Sequence, residues 1–148
     1  MTLIKHPLVL ASTFLWIGFV CAISFLEAWL KFRAPGVTIP IGLGIGKLVF
    51  AALNKIEWIL SFIILCSLLF KQWQWRQWQS ILILLPIGLL VVQTIWLLPE
   101  LDTRATLRIM GETTPPSNLH FYYVGTEVLK VFSLLLSGIK TFKPKTYE

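Results

Sequence analysis

The sequence predicts an all-α integral membrane protein: a bundle of four transmembrane helices with both the N and C termini in the cytoplasm. Its residues are 56% hydrophobic and 14% charged, and its mean hydropathy is +0.76. A soluble domain has roughly a quarter charged residues. Apolar stretches long enough to cross a bilayer, about 20 residues each, recur along the chain. With 148 residues, the chain is expected to form a single membrane domain with no room for a soluble catalytic domain.

Four apolar segments supply the predicted spans, at residues 8–32, 43–70, 81–98 and 119–142. The first follows Lys5 as a signal peptide would, but its apolar run is too long for the core of a signal peptide. We therefore expect it to remain as a span. Pro86 lies inside the third span, which is tolerable in lipid if a neighbouring helix satisfies the carbonyl that the proline frees.

Three connecting segments separate these spans. Residues 33–40 contain two prolines and one glycine, which punctuate a helix. Residues 71–80 form a short, tryptophan-rich turn at the membrane surface. Pro99 is predicted to end the third helix, so that residues 100–118 form the longest loop.

The orientation follows from the Lys and Arg residues near the ends of the spans, because cytoplasmic loops carry an excess of these residues. Six cations lie on the side of the termini: Lys5, Lys71, Arg76, Lys140, Lys143 and Lys145. Four lie on the other side: Lys31, Arg33, Arg104 and Arg108. The side of the termini is therefore assigned to the cytoplasm, and we expect the protein in the inner (cell) membrane of a bacterium.

The formal net charge of +6 comes from 13 Lys and Arg against 7 acidic residues. Most of these cations flank apolar runs, so we expect them to contact lipid head groups and no nucleic acid. Membrane lipids are the expected partners. Because four helices enclose little volume, we also expect a homo-oligomer or a small membrane complex.

Ionisable residues inside the spans are the strongest functional signal, because they are costly in lipid and tend to face protein or water. His120, Tyr123, Glu127 and Lys130 are spaced by three, four and three residues, which places them on one face of the fourth helix. Similar spacing on the second helix aligns polar residues there. The candidate site residues are Glu27, Lys47, Asn54, Glu57, Gln93, His120, Tyr123, Glu127 and Lys130.

These residues predict a polar intramembrane site in the outer half of the bundle, with Glu57 and Lys130 near the floor of a cavity that is open to the outside. Transport or permeation of a small ion, a proton or a polar solute is the leading hypothesis. One alternative is a non-transporting accessory or scaffold subunit, in which the acids only form structural pairs. There Glu27 would pair with Lys31, Glu127 with Lys130, and Glu57 with Asn54 or Lys47. A membrane-embedded enzyme or a lipid-binding protein is a second alternative.

No pattern in the sequence indicates a catalytic residue, a metal site or a cofactor. The GLGIG stretch follows no strand, so Gly42 and Gly46 are interpreted as positions of close helix contact, not as a nucleotide loop. His6 and His120 are predicted at opposite membrane faces and cannot ligate one haem. The chain is therefore not expected to be an enzyme, although the sequence leaves that question open.

Two stretches carry a resemblance to a known family. FLEAWLKFRAPGVTIPIGLGIGKLVFAALNKIEW, at residues 25–58, combines an acidic helix end, a proline-containing loop, a Gly-x-x-x-Phe motif and an Asn. PPSNLHFYYVGTEVLKV, at residues 115–131, begins the fourth helix. Together they resemble the family of transmembrane protein 205 and its bacterial DUF4149 relatives, although the first loop departs from the eukaryotic pattern. The resemblance implies a four-helix membrane fold and a role in tolerance of metals or toxic compounds, and it transfers no catalytic residue.

Overall fold

The computed structural model describes residues 6–70 and 77–141, and every regular element in these ranges is helical. Helix α1 is Pro7–Arg33, helix α2 is Ile39–Phe70, helix α3 covers residues 77–109, and helix α4 is Leu119–Thr141. Residues 34–38 and 110–118 connect them at one end of the bundle, called here the loop end. All four helices are long and apolar enough to cross a membrane, which confirms the four predicted helical segments.

Two helices run further than predicted, and both extensions involve a proline. Helix α2 begins at Ile39, within the predicted first loop, because Pro40 falls in the first turn, where no backbone N–H is needed. The prediction that Pro99 ends the third helix is wrong. A π-helical segment, Gln93–Leu97, precedes it, and Pro99 falls in the first turn of a new α-helical segment, Leu98–Ile109. The first half of the predicted long loop is therefore helix.

Several cations that predict the orientation lie outside the described residues, namely Lys5, Lys71, Arg76, Lys143 and Lys145. Phe142, at the predicted end of the fourth span, and residues 71–76 of the predicted surface turn also lie outside them. Residues 77–80 belong to α3, so the last part of the turn prediction is wrong.

The helices form a ring in which sequence neighbours are antiparallel. Helix α1 packs against α2 and α4, α3 packs against α4, and the segment Leu98–Ile109 of α3 packs against α2. All four helices contribute to the apolar core, which consists of Val9, Trp16, Val20, Leu53, Leu60, Ile64, Leu68, Ile83, Leu90 and Leu134.

The exterior of the bundle is more apolar than a surface in contact with water. The side chains of Leu48, Leu69 and Ile95 are 73 to 75% exposed, and many other large apolar residues also point outward. Several charged and polar side chains are instead buried inside the bundle. This inverted distribution is the one favoured when the surrounding solvent is hydrocarbon.

Pro86 interrupts the hydrogen-bond ladder of α3, and a neighbouring helix repairs the interruption. A proline has no N–H to donate to the carbonyl four residues before it, which here belongs to Leu82. The Ser133 hydroxyl of α4 donates to that oxygen at 2.8 Å. This interhelical bond confirms the expectation that a neighbour satisfies the freed carbonyl.

Close contact between α1 and α2 depends on the two glycines of the GLGIG stretch. A Cβ atom built on Gly42 would lie 2.6 Å from Cδ1 of Phe32, and one built on Gly46 would lie 3.2 Å from Nζ of Lys31. Both neighbours belong to α1. The interpretation of these glycines as positions of close approach is therefore confirmed.

Candidate functional site

Four polar side chains from three helices form a buried network: Glu57 of α2, Gln93 of α3, and Glu127 and Lys130 of α4. Each is at most 1% exposed. The Lys130 ammonium donates to Oε1 of Glu57, to Oε1 of Gln93 at 2.6 Å, and to Oε1 of Glu127 at 3.2 Å. Its three N–H groups therefore each have an acceptor, as a buried ammonium requires.

Two further contacts fix the geometry of this buried network. The Trp16 indole of α1 donates from Nε1 to Oε1 of Glu57 at 2.7 Å, so all four helices meet here. The Gln93 amide nitrogen donates to Glu127 Oε1 at 2.8 Å and to Thr126 Oγ1 at 2.7 Å. Gln93 thus presents its oxygen to the cation and its nitrogen to a carboxylate.

Local helix geometry explains how these side chains meet. Glu127 and Lys130 are three residues apart on α4 and therefore share one face. Gln93 is the first residue of the π-helical segment of α3. Such a segment inserts extra residues into a turn and re-aims the side chains around it, and π segments are common at functional sites. Lys130 lies at the midpoint of α4, about 16 Å from either end.

The buried network contains two carboxyl groups and one ammonium group. If all three are ionised, their formal charges sum to −1. Lys130 and Gln93 both donate to Oε1 of Glu127, and the Tyr123 hydroxyl lies beside the same carboxyl group. Glu127 can therefore accept a proton on Oε2 without breaking its hydrogen bonds to Lys130 and Gln93.

A cavity of about 480 Å³ lies between the buried network and the loop end. Its walls are largely hydrocarbon, including Phe32, Leu43, Phe50 and Leu98. Tyr123 belongs to this lining and packs edge-on against Phe50, with ring centroids 5.4 Å apart. Because the same tyrosine lies beside Glu127, it separates the cavity from the buried network.

Charged side chains enter the lining of the cavity from α1, α2 and α3. Lys31 pairs with Glu27 at 3.1 Å. Lys47 pairs with Asp102 at 3.2 Å and donates to Thr106 Oγ1 at 2.6 Å. The Lys47 contacts tie α2 to the helical segment that continues beyond Pro99.

The structure divides the predicted site residues into two groups. Glu57, Gln93, Glu127 and Lys130 form the buried network, with Tyr123 at its edge. The other four lie at the cavity: Lys47, Asn54 and His120 in its lining, and Glu27 beside it as the partner of Lys31.

Three of the pairings considered from the sequence have clear outcomes. The pairs Glu27–Lys31 and Glu127–Lys130 are both present. Glu57 pairs with Lys130 instead of with Asn54 or Lys47. Asn54 donates to the Thr94 hydroxyl at 2.9 Å.

Sequence reasoning missed several residues of this region. Trp16 and Thr126 touch the buried network, but an indole or a hydroxyl in an apolar helix carries no distinguishing pattern. Lys55 lines the cavity but does not share the spacing that places Asn54 and Glu57 on one face of α2. Its charge within an apolar helix is a signal that spacing alone does not use.

No group of three or more His, Cys, Asp or Glu side chains within residues 6–70 and 77–141 is placed to hold a metal ion. The chain matches no protein-family model, no curated protein and no solved structure at a significant level. The resemblance to the transmembrane protein 205 family therefore stays a prediction.

Proposed function

We propose that this chain is an integral membrane transport protein that carries protons across the bilayer, and that the buried network is its proton site. The observation that carries the proposal is the charge imbalance at the centre of an apolar bundle. Two carboxyl groups share one ammonium group, and every one of these side chains is sealed from solvent. An uncompensated charge there costs several kcal/mol, which favours a network that holds one added proton.

The membrane location on which this rests is supported by the four long apolar helices and by the apolar exterior. A soluble protein would lose solubility by exposing so much hydrocarbon. In a bilayer the same surface is solvated by lipid chains, and polar side chains form their contacts between the helices, inside the bundle.

A proton fits the buried network better than a metal cation does. Sodium-sized and larger cations need several oxygen ligands around an open position. Here the Lys130 ammonium already occupies the position between Glu57, Gln93 and Glu127. A proton requires only one free lone pair, which Oε2 of Glu127 provides.

Tyr123 supplies the connection between the proton site and the cavity. It lines the cavity and lies beside Glu127. A hydroxyl both donates and accepts hydrogen bonds, so it can relay a proton in either direction. In this proposal the proton passes from the cavity to Glu127 through Tyr123.

The Glu127→Gln variant tests the proposal. In liposomes that contain a pH-sensitive dye, we expect the wild type to carry protons down an imposed gradient and the variant to fall to the rate of empty liposomes. The apparent melting temperature should stay close to that of the wild type, because Lys130 keeps its partner Glu57 and the network becomes neutral. Glu112→Gln, in the exposed loop between α3 and α4, is the matched control and should behave as the wild type. Undiminished proton flux in Glu127→Gln would reject the assignment.

A scaffold role is the second candidate, and one observation favours it. Every N–H of the Lys130 ammonium is used inside the protein, so the buried network also works as a lock between helices. A scaffold would show no protein-dependent proton flux in the wild type. The same liposome measurement therefore separates the two functions.

A further inference from the structure

We propose that the cavity binds an organic monoanion with an apolar body, such as a medium-chain carboxylate, and that Lys55 binds its acid group. This inference rests on the proposed function and names the class of solute that accompanies the proton. It is drawn from the charges around the cavity, the composition of its walls and its size.

The lining of the cavity carries more positive than negative charge. Three lysines and one aspartate belong to the lining. Lys31 is neutralised by Glu27 and also lies 5.5 and 5.6 Å from the ring centroids of Phe32 and Phe50. Lys47 is neutralised by Asp102. In the part of the chain that the structure describes, Lys55 has no acidic partner, so the lining carries one surplus positive charge.

Lys55 lies deep within its helix. It lies near the middle of α2, about 22 Å from Phe70 and about 24 Å from Ile39. A lysine at such a depth is costly in lipid unless it has a counter-charge or reaches water. The side chain is exposed and contributes to the lining of the cavity, so an anion in the cavity can reach it.

The walls of the cavity favour a ligand with an apolar body. Close to Lys55, the Asn54 amide and the Trp58 indole both donate to the Thr94 hydroxyl, at 2.9 and 3.0 Å, and that hydroxyl donates to the Leu90 carbonyl. The Thr94 hydroxyl and the Trp58 indole N–H are therefore already satisfied. Most of the remaining wall is hydrocarbon. A ligand with many polar groups would leave them unpaired, whereas an alkyl or aryl body would not.

The volume sets the size class. About 480 Å³ lies in the lower part of the range for small-molecule sites. One hydrocarbon chain fits such a space, and a diacyl lipid does not.

The two surplus charges of the bundle are complementary to this cargo. The buried network has a formal charge of −1 and gains a proton, and Lys55 has a charge of +1 and gains a carboxylate. Before loading, these charges cancel only in sum, because they lie at separate sites. Loading makes each site neutral by itself, which lowers the cost of each charge in a low-dielectric interior. The charge distribution therefore favours binding of a proton and an organic monoanion together.

The test is calorimetric binding to the full chain in phosphatidylcholine nanodiscs, with empty nanodiscs as the blank. The probes are decanoate, decanol and decylamine, which share one chain and differ in the head group. We expect saturable binding of decanoate, and binding of decanol and decylamine weaker by about tenfold or more. Equal binding of the three probes would reduce the cavity to a generic hydrocarbon site and overturn the inference.

Variants of Lys55 test the assigned residue. Lys55→Gln should weaken decanoate binding by about tenfold or more, Lys55→Arg should retain it, and the control Lys140→Gln, exposed at the far end of α4, should leave it unchanged. Unchanged affinity in Lys55→Gln would contradict the role of Lys55. A final arm adds phosphatidylglycerol to the nanodiscs. If that lipid abolishes decanoate binding, the counter-charge of Lys55 is a lipid head group and the inference fails.

Decanoate binding tests the cargo and proton flux tests the proposed function, so the failure of one proposal can be distinguished from the failure of the other. Loss of decanoate binding with proton flux that still depends on Glu127 would reject the cargo and keep the proton site. Specific decanoate binding without any proton flux would reject the proposed function.

Discussion

At the scale of single residues, Lys130 is the group that makes the buried network possible. Its ammonium lies between two carboxyl groups that would otherwise face each other at the centre of the bundle. Removing one partner of a buried ionic group leaves the other uncompensated, which costs more than the pair contributes. Lys130 should therefore matter more for stability than either glutamate does.

Substitution of Lys130 by Met tests this difference. Met fills a similar volume but leaves Glu57 and Glu127 without a cation, so we expect a loss of about 3 to 5 kcal/mol of stability. In detergent this should appear as a clearly lower apparent melting temperature than that of Glu127→Gln. Lys140→Met is the control on the same helix and should melt as the wild type does.

A triple variant separates the loss of charge balance from the loss of shape. When Glu57→Gln and Glu127→Gln are added to Lys130→Met, no ionised group remains in the buried network, and most of the lost stability should return. If the triple variant melts as low as Lys130→Met alone, packing and not charge explains the defect.

At the scale of elements, α3 contains two prolines, and the missing backbone N–H of each is accommodated in a different way. Pro99 directly follows the π-helical segment Gln93–Leu97, where the backbone hydrogen-bond pattern changes at the point at which the proline lacks an N–H. Pro86 lies in the middle of the helix, and its freed carbonyl at Leu82 needs the Ser133 hydroxyl of α4. The Ser133 bond therefore stabilises the packing of α3 on α4.

A double-mutant cycle measures this bond. Ser133→Ala leaves the Leu82 carbonyl unpaired in a partly buried position, and we expect a cost of about 1 to 3 kcal/mol. In a Pro86→Ala background the backbone N–H of residue 86 bonds that carbonyl, so the same serine substitution should cost much less. Equal costs in the two backgrounds, measured by thermal unfolding in detergent, would show that Ser133 does not compensate Pro86. Ser67→Ala, whose hydroxyl bonds only its own helix at Ile63, is the control.

At the scale of the whole molecule, orientation decides which compartment the cavity faces. The count of Lys and Arg residues predicts that the termini lie in the cytoplasm and that the loop end and its cavity face the outside.

Single cysteines test this orientation in a background in which Cys21 and Cys66 are replaced by Ser. A cysteine at Thr103, exposed on α3 near the loop end, should react with an impermeant thiol reagent in intact cells. A cysteine at Gln77, at the start of α3, should react only after permeabilisation. The reverse pattern would place the cavity on the cytoplasmic side, and labelling of both positions in intact cells would contradict a membrane-spanning α3.

The elements and the polar faces of this protein could be predicted from the sequence, because they depend on local properties of the chain. Apolar length identifies a helix that can cross a bilayer, and spacings of three and four residues place Tyr123, Glu127 and Lys130 on one face of α4. Both signals are contained within a few turns of one helix. The pairs Glu27–Lys31 and Glu127–Lys130 follow from the same periodicity, since their members are neighbours on one helix.

The pairings between helices were decided only by the tertiary structure. Glu57 and Lys130 are 73 residues apart, and the sequence equally allowed Glu57 to pair with Asn54 or Lys47. The rotation and axial offset of the packed helices selected Lys130, and they brought Trp16 and Gln93 to the same point. Packing also decided that α3 continues past Pro99, where Lys47 of α2 meets Asp102 and Thr106. Side-chain spacing along one helix determines a face, but only the packing of the bundle determines what that face meets.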